Sequence, residues 1–138
     1  MRKTATIKKN IHLIISLTIV VPFAFVYGLN PESILPNYFD FEVNNVDLKH
    51  FFRAIMGLYL AIATSWVFGI IKPSFWKSAT IINLIFMFGL AFGRIVSLAF
   101  DGIPSQILIR AIALELILGF FALYQLRKYG KDQTLQYQ

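Results

Sequence analysis

The chain has no cysteine among its 138 residues. That excludes disulfides, thiolate nucleophiles and every cysteine-based metal site. Histidine is scarce as well, with His12 and His50 the two present. Charge is thin: 14% of residues are Asp, Glu, Lys or Arg, against about 25% in soluble proteins. There is no Walker loop, nucleophile elbow or H-E-x-x-H, so those phosphate-transfer, hydrolase and zinc-protease signatures are missing. No cofactor is expected.

What fills the space is apolar, at 57% of the chain. The apolar residues gather into four runs that lack charge or nearly lack it: 11–29, 51–71, 76–100 and 105–126. At about 1.5 Å per residue, each run crosses a hydrocarbon core of roughly 30 Å. A soluble bundle would carry a polar stripe on every helix, and "LIISLTIVVPFAFVYG" carries none. A helix satisfies its own backbone in lipid. The expected fold is therefore all-α: a single domain over 1–138, folded as a four-helix transmembrane bundle with antiparallel neighbours. Residues 30–50 form a longer, acidic connection that either lies on the outer membrane face or folds over the bundle mouth.

The net charge is +6. Nucleic acid is not the expected partner, because the basic residues sit mainly at the ends of the apolar runs. Arg2, Lys3, Lys8, Lys9, Lys72, Lys77, Arg127, Lys128 and Lys131 flank one side. Glu32, Asp40, Glu42, Asp47 and Asp101 flank the other, with Lys49 the one base among them. The positive-inside rule then places both termini in the cytoplasm. The first 28 residues also have the basic start and apolar middle of a secretory signal. The run is long for a signal, so a retained span is expected, with Pro22 as a kink. "KPSFWK" reads as a tight turn with Trp76 at the interface, and "DGIPS" as a glycine helix end followed by a proline start.

Charges inside the runs are the candidate functional residues. At 100° per residue, Asn83, Arg94, Ser97 and Asp101 fall on one stripe of the third helix, with offsets of about 20°. Gly89 and Gly93 form a G-x-x-x-G beside it, expected to permit close helix approach. Glu115 shares a face with Ala111, Gly119 and Ala122, which suits a bundle interior. Arg110 lies about 140° from Glu115 on the helix wheel and is not expected on that face. On the second helix, Arg53, Gly57, Ala61 and Thr64 form another small-polar stripe that starts near His50. A buried charge without a partner costs at least about 2.5–3.5 kcal/mol in a membrane. Glu115 is therefore expected to pair with Arg94 or Arg53. Three readings follow. The charges are ion pairs that fix helix register; or they form an outward pocket for an anion; or Glu115 and His50 relay protons.

"HFFRAIMGLYLAIA", "ATIINLIFMFGLAFGRIVSLAFDGIPS" and "ALELILGFFAL" together resemble an uncharacterised family of small bacterial four-helix membrane proteins. The resemblance covers roughly residues 50–125. Its pattern maps onto Arg53, Gly57, Gly93, Arg94, Ser97, Asp101, Gly102 and Glu115. It implies the fold and no activity, and it implies the bacterial inner membrane as location. The architecture is also loosely similar to the DoxX-like group, some members of which are linked to quinone or redox systems. The expected function is a non-catalytic membrane protein. Its pocket, built from Arg53, Arg94, Glu115, Arg110, Asp101, Asn83, Ser97 and His50, would bind an anionic lipid, a small anion or a partner helix. Two alternatives are an accessory subunit of a membrane redox or transport complex, and a lipid-acting enzyme using Glu115 or His50. Membrane lipids are the expected partners, with another membrane protein or a second copy beside them.

Overall fold

The computed structural model describes residues 2–134, with side chains described over 7–130. The side chains of Arg2, Lys3 and Lys131 lie outside those described. Four long helices carry the architecture: α1 (Arg2–Gly28), α3 (Val46–Ile71), α4 (Trp76–Phe100) and α5 (Gln106–Thr134). A single turn, α2 (Pro31–Ile34), sits in the first connection. All four long helices are long and apolar enough to cross a membrane.

Each boundary has a local cause. Pro31 and Pro73 disfavour helical backbone at the residue before them, so α1 and α3 end there. Asn45 caps α3, its side-chain oxygen accepting from the Leu48 amide at 2.7 Å. Gly102, at φ +100°, takes the left-handed turn after α4 that an L side chain resists. Three helices extend beyond the apolar runs. α1 and α5 continue through the basic flanks, and α3 starts at Val46 because the Asn45 cap precedes its apolar run. Charge density marks where lipid ends; it does not end a helix.

The bundle has two unlike ends. One holds the start of α1, the α3–α4 turn and the end of α5, and is called here the terminal end. The other holds the 29–45 connection and the α4–α5 turn, and is called the loop end. The core runs through Leu13, Val20, Ala24, Tyr59, Trp66, Trp76, Phe86, Met87 and Leu118. α4 packs closely on α5, and α1 on α3; the α1–α5 seam is much looser.

The first connection folds over the loop end. Leu35, Phe39 and Val43 are buried against Val26, Tyr27, Phe52, Ile107 and Leu108. The rings of Tyr27, Phe39, Phe41 and Phe52 stack almost parallel, with centroids 5.6–6.2 Å apart. An ion pair between Glu32 and Lys49 ties the connection to α3. The Lys49 ammonium holds the Glu32 carboxyl below the usual carboxylate range. The pair's contribution is therefore present at neutral pH and lost as pH falls through that lowered value.

The close helix approaches do not occur at the G-x-x-x-G. A Cβ on Gly89 or Gly93 would meet nothing within 4 Å, because both glycines face outward. The tight contacts are elsewhere: Gly28 against Met56, Gly69 against Ala79, and Gly119 against the Phe88 ring. The Arg53–Gly57–Ala61–Thr64 stripe also faces outward, all four residues being exposed. Small residues on a membrane helix are compatible with either face, so spacing alone does not decide which one packs.

Candidate functional site

Arg94 of α4 and Glu115 of α5 meet across the tightest helix pair. Arg94 Nε donates to Glu115 Oε1 at 2.9 Å. The pairing falls to Arg94 and not to Arg53, which points outward from α3 within the field of Glu32. The Tyr27 and Tyr59 hydroxyls approach the Arg94 guanidinium from α1 and α3. One guanidinium thus gathers side chains from all four long helices.

These groups line a cavity of about 160 Å³. Its walls are largely apolar, with Ile19 and Phe23 from α1 and Leu114 and Leu118 from α5. Its lid is Phe39, held in the four-ring stack. Arg110 also lines it, although about 140° from Glu115 on the wheel. The reason is reach: Arg110 is exposed and also lines the cavity, which places it at the rim, and a long side chain can line a cavity that its Cβ does not face. Among the described residues Arg110 has no ion pair or hydrogen bond. Glu115 Oε2 is buried and has no hydrogen-bond partner.

The other sequence-predicted residues are not brought to this cavity. Asp101 and Ser97 are exposed at the loop end of α4. Asn83 is fully buried, but eleven residues before Arg94, or about 16 Å along the axis. The polar stripe is thus an exit path from core to surface, since a helix in a small bundle does not keep one face buried along its length. His50 is exposed at the start of α3 and does not line the cavity, so no relay with Glu115 is assembled. No group of three metal-ligating side chains occurs among the described residues.

A family model matches residues 9–126, which takes in most of the chain and every residue of the cavity. The chain belongs to this family, described as Domain of unknown function (DUF4345). No curated protein and no solved structure matches the chain. The DUF4345 region also holds a second polar centre, at the terminal half. His12 Nε2 lies 3.0 Å from Thr80 Oγ1, and Thr80 Oγ1 donates to the Trp76 carbonyl at 2.8 Å. The Trp76 and Phe121 rings stand edge-on to the imidazole. Ser16 and Asn83, one turn further on, are buried with side-chain polar atoms that have no partner.

Neither His12 with Thr80 nor Tyr27 and Tyr59 stood out in the sequence. The first two carried a usable signal: His12 and Ser16 are four apart, and Thr80 and Asn83 three apart, which puts each pair on one helix face. The tyrosines carried none. An isolated tyrosine in an apolar run fits an interface belt as well as a bundle interior.

Proposed function

We propose that this DUF4345 protein is a small, non-catalytic, multi-pass protein of the bacterial cytoplasmic membrane, and that it binds an anionic amphiphile in the α1–α5 cavity. The observation that carries this is Arg110, a cation without a partner at the rim of an otherwise apolar cavity whose other two charges, Arg94 and Glu115, are paired with each other. Arginine offers forked donors suited to phosphate and carboxylate. The charges lie toward the loop end, and the apolar walls continue past them toward the bundle middle. A head group on Arg110 and Arg94 with a chain along Leu114 and Leu118 matches that order. Entry from water at the loop end is obstructed by Phe39 and its ring stack, whereas the α1–α5 seam faces the membrane. The termini are assigned to the cytoplasm by the basic residues at their end, which puts the cavity in the outer half.

The test is Arg110→Gln in the purified protein, followed by native mass spectrometry of retained lipid. Arg110 is exposed and unpaired, so the fold is expected to survive. Retention of anionic phospholipid relative to phosphatidylcholine should fall about tenfold, the worth of one charged hydrogen bond. Unchanged retention would sink the proposal. Inorganic phosphate competing as well as lipid would show that a small anion is the ligand.

A second reading, an accessory subunit docking a partner helix, rests on a separate feature. An apolar groove of about 350 Å³ runs between α3 and α4, lined by Leu58, Ile62, Ile85 and Gly89. The natural chain has no cysteine, so Gly89→Cys gives an unambiguous probe. Oxidation should join this cysteine to the same residue of a second copy, or to a cysteine of a partner chain, if the groove is an interface, and leave monomer if it faces lipid.

A further inference from the structure

We infer that the head group taken by this cavity bears a hydrogen-bond donor beside its anion: a phosphodiester whose esterified alcohol carries a free hydroxyl. This rests on the anionic-amphiphile reading and specifies its ligand.

Two groups of the cavity have no protein partner, one a buried acceptor and the other an exposed donor. Glu115 has one carboxylate oxygen engaged by Arg94 Nε and the other, Oε2, buried with no donor. The whole residue is 7% exposed, so bulk water does not serve that oxygen. An ionised acceptor left without a donor in a low-dielectric interior is a standing cost. Arg110 is the converse, a forked donor with no acceptor. The two positions are five residues apart on α5, or about 7.5 Å along the axis. A phosphodiester with a hydroxyl two or three carbons away can set its anion toward the long Arg110 side chain at the rim and its hydroxyl toward the Glu115 carboxylate. A lone water molecule would satisfy Oε2 and leave Arg110 without an anion. A simple anion would satisfy Arg110 and leave Oε2 bare. Only a head group carrying both meets both.

Volume sets a second condition. A closed cavity of about 150 Å³ holds a molecule of benzene size, and this one measures about 160 Å³. It takes a head group, or a few carbons of one chain, and no whole diacyl lipid. The rest of the molecule stays in the α1–α5 seam and the surrounding bilayer.

The experiment uses the full chain in phosphatidylcholine nanodiscs with equal amounts of phosphatidylglycerol and phosphatidylmethanol of identical acyl chains. Both lipids carry one phosphodiester charge; only the first has the hydroxyl. Native mass spectrometry should show phosphatidylglycerol retained about tenfold over phosphatidylmethanol. Glu115→Gln should abolish that preference, because its amide presents a donor where Oε2 presented an acceptor. Both anionic lipids should still be retained over phosphatidylcholine. Equal retention of the two by the wild type would overturn the hydroxyl inference and leave the anionic reading standing. No preference for either over phosphatidylcholine would overturn the anionic reading itself. Displacement by deacylated glycerophosphoglycerol at the same concentration would overturn the membrane source. The wild-type comparison decides even where Glu115→Gln fails to accumulate.

Discussion

Arg94→Ala is expected to destabilise the bundle by about 3–5 kcal/mol, the usual cost of removing one partner of a buried ion pair. The loss of one hydrogen bond is the smaller part. The larger part is Glu115, whose side chain is 10% exposed and would keep its charge with no counter-charge in contact. Within a membrane that charge has no inexpensive route to water. The double substitution Arg94→Met with Glu115→Leu should recover most of the loss, because an apolar pair of similar volume removes both desolvation costs at once. Unfolding in mixed micelles can be followed through Trp66 and Trp76, both fully buried in the core. A cost under about 1 kcal/mol for Arg94→Ala would mean that Glu115 is neutral or hydrated. A double variant no better than the single one would mean that the pair fixes the helix arrangement beyond its own energy.

Gly69→Ala should cost about 1–3 kcal/mol through overpacking, while Gly93→Ala should be neutral or stabilising by up to about 1 kcal/mol. The added methyl at Gly69 would run into the Ala79 side chain of α4, with Leu13 of α1 3.3 Å away. Neither neighbour has a flexible end that can yield: one is a methyl on a helix backbone, the other a fully buried leucine. At Gly93 the methyl meets open space, and alanine favours helix. Apparent melting temperatures of the two variants in one detergent give the comparison. Equal effects would contradict the assignment of the α3–α4 contact to Gly69.

Much of the fold was legible because the membrane imposes a single strong rule. Four apolar runs of sufficient length gave four helices, and the third run matched α4 at both ends. The Arg94–Glu115 pair was legible for a related reason. Buried charge in lipid requires a partner, and the interior offered few candidates. Facing was not legible. Gly93 and Gly69 are both glycines in apolar helices, and only the path of the neighbouring helix makes one a contact and the other a bare surface. Arg53 was misplaced likewise: near a helix end its long side chain can reach solvent, so nothing compels it inward. Arg110 was expected among the pocket residues but off the Glu115 face; the helical wheel counts the angle of Cβ and ignores a side chain of several rotatable bonds.

The polar groups near the start of α1 are each answered from far along the chain. Asn10 donates to the Ile70 carbonyl 60 residues on, and His12 meets Thr80 68 residues on. The Lys8 carbonyl accepts from Gln125, 117 residues on. During synthesis from the N-terminus, these partners have yet to be made when α1 first emerges. A first span that reaches the bilayer alone does so with an imidazole and an amide that still lack their protein partners. Assembly is then a matter of timing as well as affinity. The Lys8 contact is the last of the three to form, after most of α5 has been added, and it joins the two ends of the polypeptide into one ring of helices.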